Sequence, residues 1–125
     1  MQIITWNCRG VGNVKFLRNY KDMMRNEHSD VLCLLETKAD GGAGKQLGRK
    51  LKFDGVFEVN ENGYTGGLIL LWQSHSVSLR VISCTDQSIH SELRFGDIDI
   101  LHFCIRSTKC SSKRNVLVSY EGLCW

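Results

Sequence analysis

The sequence predicts an α/β (α+β) domain with a mixed sheet flanked by helices. Three observations carry this. An alternating β-prone start is followed by a helical stretch and then by a continuous apolar run that ends in a charge. That run, Asp30-Val31-Leu32-Cys33-Leu34-Leu35-Glu36, reads as a strand buried on both faces, the mark of a sheet covered by helices. Beyond it come several β-prone runs at hairpin-like spacing, so the order is βαβα, then β runs, then α.

Taken in order, Gln2–Trp6 alternates and reads as the first strand. A helix is expected over Lys15–Glu27, with Phe16, Tyr20, Met23 and Met24 along one side and Arg18, Lys21 and Arg25 along another. A short helix, Lys45–Leu51, follows the glycine cluster Gly41-Gly42-Ala43-Gly44. Further strands are expected at Val56–Asn60, Gly67–Trp72, Val77–Ser83, Ser88–Arg94 and Ile98–Ile105, and a final helix from about Lys113 to Glu121. With 125 residues the chain makes one domain. The expected division is 1–106 for the domain and 107–125 for a divergent tail.

No apolar stretch approaches a membrane span, and the N-terminus lacks the basic start and apolar run of a secretory signal. A soluble, intracellular protein is therefore expected. The formal net charge is only +3, from 16 basic and 13 acidic residues. All of the surplus lies in residues 1–27, where Arg9, Lys15, Arg18, Lys21 and Arg25 face Asp22 and Glu27. That is a candidate phosphate-facing patch, or a solvated helix face. The six cysteines include no Cys-x-x-Cys pair and no histidine at zinc-finger spacing, so reduced thiols are expected. Cys8, Cys33 and Cys104, set among apolar residues, read as small core side chains.

Asn7 and Glu36 end the first two strands. If those strands are parallel neighbours, their carboxyl ends lie together, where α/β sheets bind ligands. An amide carbonyl and a carboxylate are hard oxygen donors suited to Mg²⁺ or Mn²⁺. Glu36 can equally cap the next turn, and Asn7 can support the Arg9-Gly10 turn. Rival sites are thinner. The Gly41–Lys45 loop has Ala39 and Gln46 where a phosphate-binding loop needs Gly and Ser or Thr. Asp97 and Asp99 share a strand face without supporting groups, and no Gly-x-Ser-x-Gly elbow surrounds Ser74 or Ser88.

The segments Trp6-Asn7-Cys8-Arg9-Gly10, Asp30 through Glu36-Thr37-Lys38, and Gly66-Gly67-Leu68-Ile69-Leu70-Leu71-Trp72 occur in order. This arrangement resembles the endonuclease/exonuclease/phosphatase family, the fold of DNase I and the apurinic endonucleases. It is most similar to the endonuclease domain of plant LINE-type retrotransposons. The resemblance covers about residues 1–105 and implies the N-terminal half of a four-layer α-β-β-α sandwich. It implies that Asn7 and Glu36 bind the catalytic divalent metal, Mg²⁺ or Mn²⁺, and that nucleic acid is the partner. The Gly66-Gly67 segment is structural in that family.

The family also carries an Asp-x-Asn motif and a Ser-Asp-His motif. Here no Asp precedes an Asn by two positions, and none of His28, His75, His90 and His102 follows an Asp. The expectation is a truncated relative of a Mg²⁺-dependent phosphodiesterase, catalytically incompetent alone. The alternative is a non-catalytic remnant that associates weakly with nucleic acid or a partner. With half a sandwich, one sheet face is expected to be exposed and to drive self-association.

Overall fold

A computed structural model of the chain describes residues 2–12, 14–25, 28–38, 42–59, 67–85, 87–96, 100–106 and the backbone of 116–119. Its elements run β1 (Gln2–Asn7), α1 (Phe16–Met23), β2 (Val31–Leu35), α2 (Ala43–Leu51), β3 (Gly55–Val59), β4 (Leu68–Trp72), β5 (Ser78–Cys84), β6 (Ser88–Arg94), β7 (Leu101–Arg106) and β8 (Val116–Ser119). They form a five-stranded sheet of order β3-β4-β2-β1-β8 and a three-stranded sheet of order β5-β6-β7.

The continuous apolar runs take the centre of the first sheet because a strand there is covered on both faces. Val31, Leu32, Cys33 and Leu34 of β2 are fully buried, as are Leu68, Ile69, Leu70 and Leu71 of β4. β2 pairs parallel with β1 and antiparallel with β4. The parallel pair requires a crossover, which α1 supplies. On one sheet face Ile4, Trp6, Leu32, Leu34, Ile69 and Leu71 pack with Phe16, Leu47 and Phe53 of the helical layer. Trp6 and Phe16 stack at 5.1 Å between ring centroids, seating the start of α1 over the end of β1. α2 stops where Lys52 turns left-handed, with the Phe53 amide donating to the Gly48 carbonyl at 2.7 Å.

The opposite face is also covered. Ile3, Val31, Cys33, Leu68 and Leu70 pack with Val77, Ile89, Leu93, Leu101 and Ile105 of the three-stranded sheet and its lead-in. The described residues therefore make three layers, α-β-β. This corrects the expectation of an exposed sheet face. The β runs after Val77 fold back as a second sheet, so the apolar patch on which self-association rested is buried.

Two further expectations are corrected. A strand, not a helix, occupies Val116–Ser119, pairing antiparallel with β1 from Gln2 opposite Ser119 to Thr5 opposite Val116. The alternating β-branched Val116 and Val118 suit a strand, and β1 would otherwise present an unpaired edge. Cys104 is exposed rather than buried. Alternation along β7 turns Leu101 and Ile105 inward, which forces His102, Cys104 and Arg106 outward. Cys8 and Cys33 are buried, as expected.

Candidate functional site at the carboxyl ends of two parallel strands

In the parallel register Asn7 lies opposite Leu35, and Glu36 is the next residue along, the first beyond the end of β2. Three loop starts are laced together here. The Cys8 amide donates to the Leu35 carbonyl at 3.1 Å, the Val11 amide to Thr37 at 3.0 Å, and the Thr37 amide to Gly67 at 3.3 Å.

The backbone is strained at the same place. Arg9, Glu36 and Lys38 have φ values of 54°, 52° and 48°, and Gly10 and Gly67 are left-handed too. Among the described non-glycine residues only Lys52, at the end of α2, shares that conformation. Each left-handed non-glycine residue costs roughly 1–2 kcal/mol, and such strain gathers where a site needs it.

Two buried side-chain oxygens at these strand ends have no hydrogen-bond partner. Asn7 is 8% exposed, and its Oδ1 accepts no hydrogen bond; Glu36 Oε2 is likewise buried and unpaired. A buried acceptor left unmade costs about 1–3 kcal/mol, a cost that a cation, a water or another donor at this place would remove. Both are hard oxygen donors, the type that Mg²⁺ selects. Among the described residues no three His, Cys, Asp or Glu side chains already converge on one point.

Neighbouring Cys8 is no nucleophile. Burial, with the Glu36 charge adding to it, pushes its thiol up to about 11, and its Sγ donates to the Leu35 carbonyl at 3.4 Å. Burial pushes Cys33 up to about 12. Both thiols stay protonated at neutral pH.

The basic residues divide into two groups. Arg9 is exposed in the loop after β1, and Lys15 is the N-cap of α1, at the carboxyl end of the strands. The crossover helix then runs back toward the start of β2. Arg18 therefore lies partway along it, with Lys21 and Arg25 at the far end. Arg25 is also engaged, its Nη2 standing 3.0 Å from Asp22 Oδ1. Both partners are exposed, so Arg25→Ala is expected to change stability by less than about 0.5 kcal/mol in urea titration.

Two basic residues that the sequence reading passed over, Lys38 and Lys50, line a groove of about 400 Å³ beside Val11 and Gln46. The signal for Lys38 was its place directly after Glu36-Thr37. The Gly42 amide donates to Glu58 Oε1 at 2.9 Å, which removes that donor from any phosphate. Asp97 and Asp99 lie outside the described residues.

The family model described as Endonuclease/Exonuclease/phosphatase family matches residues 4–99. The chain belongs to the endonuclease/exonuclease/phosphatase family. Among solved structures it is similar to D. rerio TDP2 complexed with single strand DNA product, with a TM-score of 0.56 and 16% identity. That match covers 89% of this chain and 48% of TDP2, so the chain spans about half the length of this relative. No curated protein sequence matches it. The likeness to TDP2 supports the DNase I-like fold, of which the α-β-β layers are part. Among the described residues no helix is long and apolar enough to cross a membrane.

Proposed function

We propose that the chain is the metal-holding half of a Mg²⁺-dependent phosphodiesterase that acts on nucleic acid, derived from a LINE-type retrotransposon. The observation that carries the metal is the pair of buried, unpartnered oxygens, Asn7 Oδ1 and Glu36 Oε2, on adjacent parallel strand ends. Asn7 and Glu36 would hold the ion. Mg²⁺ bound there would supply Lewis-acid stabilisation of charge on a phosphate oxygen.

Arg9 and Lys15 stand at the same strand ends and would meet the phosphate backbone, with salt-sensitive affinity. TDP2, whose fold this chain shares, was solved with a single strand DNA product, which supports nucleic acid as the ligand class. The retrotransposon origin rests on the wording of Trp6–Gly10 and Glu36-Thr37-Lys38.

Hydrolysis also needs an oriented nucleophile and a stabilised leaving group. The chain contains no Asp-x-Asn and no Ser-Asp-His sequence to provide them. The 125-residue chain alone is therefore expected to leave supercoiled plasmid intact in Mg²⁺ while showing a folded circular dichroism spectrum. Nicking that vanishes both in EDTA and in Glu36→Ala would show that the chain or its oligomer completes a site, and would overturn catalytic incompetence. An unchanged plasmid with salt-sensitive retardation in gels supports a binding half without the enzyme.

A further inference from the structure

We propose a second cation site, for a soft divalent metal such as Zn²⁺, on the outer face of the three-stranded sheet, held by His90, His102 and Cys104 with Glu92 behind them. It is independent of the Asn7–Glu36 reading. In the β6–β7 register His90 lies directly opposite Cys104, and Glu92 directly opposite His102. His102 and Cys104 are two apart on one strand, so both stand on the same face, and His90 and Glu92 face them from the neighbouring strand. His90, His102 and Cys104 are all exposed and border a groove of about 330 Å³.

One distance suits coordination. Cys104 Sγ lies 3.6 Å from His90 Nε2. Sulfur at about 2.3 Å and nitrogen at about 2.0–2.1 Å from a tetrahedral ion are themselves about 3.6 Å apart. One edge of the tetrahedron is thus already set.

His102 supplies the next donor. Its Nε2 lies 4.0 Å from Glu92 Oε1, beyond hydrogen-bond distance, so Glu92 is the carboxylate within reach of the ring nitrogen that does not bind the metal once the ring has turned. Glu92 is itself steadied by Arg80, whose Nη2 lies 2.6 Å from Oε2. No three of these groups converge before metal arrives, so rotation of the exposed His102 side chain closes the site. On binding, the Cys104 thiol gives its proton to the buffer and the sulfur–metal bond forms, with no change of oxidation state. Thiolate and imidazole donors prefer Zn²⁺ to Mg²⁺, so one chain would keep two cations apart by ligand softness.

Cobalt(II) is the probe, because a cysteine thiolate on Co²⁺ gives a charge-transfer band in the near ultraviolet. The whole chain is titrated with Co²⁺ in excess Mg²⁺, and Zn²⁺ is then added. The expected result is a saturable band that Zn²⁺ removes, that is absent in Cys104→Ser, and that persists in Cys84→Ser and Glu36→Ala. His90→Ala and His102→Ala should each weaken Co²⁺ binding by at least about tenfold, and Glu92→Ala by about tenfold. These side chains sit on an exposed face, and circular dichroism of each variant confirms the fold. A folded wild-type chain that shows no band, or a band that survives Cys104→Ser, overturns the proposal.

Discussion

Gly55→Ala is expected to destabilise the chain by about 3 kcal/mol, the upper end of the usual cost of overpacking. Gly55 opens β3 and lies opposite Trp72 of β4, and the indole ring covers the space where a side chain would start. A Cβ at residue 55 would overlap Trp72 Cε2, Nε1 and Cδ2, so the ring must leave or the strands must part. Trp72 cannot leave freely. It pairs with Val31 of β2 on its other side and packs against the core between the sheets.

Gly12→Ala is the control, since a Cβ there meets nothing within 4 Å. It should leave the urea midpoint nearly unchanged, whereas Gly55→Ala moves it far to lower denaturant. The double variant Gly55→Ala, Trp72→Ala should be much less destabilised than the sum of the two single changes, because the clash exists only when both side chains are present. Additive losses would mean that Gly55 is required for some reason other than the indole.

The parts of this molecule that were legible in the sequence are those dictated by local pattern. The unbroken apolar runs Val31–Leu35 and Leu68–Trp72 announced the two-sided burial of β2 and β4. The parallel pairing of β1 and β2 follows from the helical stretch between them, and it brings Asn7 and the residue before Glu36 opposite each other at one end of the sheet. What the sequence could not show was long-range. The three-stranded sheet covers the inner face of the first, a result of how β5, β6 and β7 curl back that no local pattern announces.

The expected helix over 113–121 failed for a related reason. Val116, Leu117 and Tyr120 fit a helical spacing, but the open edge of β1 offers four backbone pairings to an extended chain. Tertiary pairing overrides a short periodic signal. Cys104 is exposed although its neighbours in sequence are apolar, because neighbours in sequence are not neighbours in space. In a strand they point to opposite faces. The left-handed backbone at Arg9, Glu36 and Lys38 had no sequence signal either, since none of these is a glycine or an asparagine.

That strain supports the last prediction. In EDTA, Glu36→Gly is expected to be more stable than the parent chain by about 1 kcal/mol, and in Mg²⁺ the advantage should disappear. Glu36 holds φ at 52°, a conformation that costs a glutamate roughly 1–2 kcal/mol and a glycine almost nothing. The substitution also removes a buried carboxylate oxygen that has no hydrogen-bond partner, a further gain. Against these stands the greater unfolded-state freedom of glycine, about 0.5–1 kcal/mol, so the net sign without metal is stabilising.

Mg²⁺ bound to the native parent chain adds RT ln(1 + [L]/Kd), about 1.4 kcal/mol at ten times Kd, and should add nothing to Glu36→Gly. Asn7→Ala should lose the Mg²⁺ response as well while leaving the strain at residue 36 in place, so it should not gain stability in EDTA. Thermal unfolding of the three proteins, with and without Mg²⁺, separates the two roles open to Glu36. If Glu36 only caps its turn, Glu36→Gly falls below the parent chain in EDTA and Mg²⁺ shifts none of the three. If it is a ligand, a residue that costs the apo fold stability is the one through which the metal restores it.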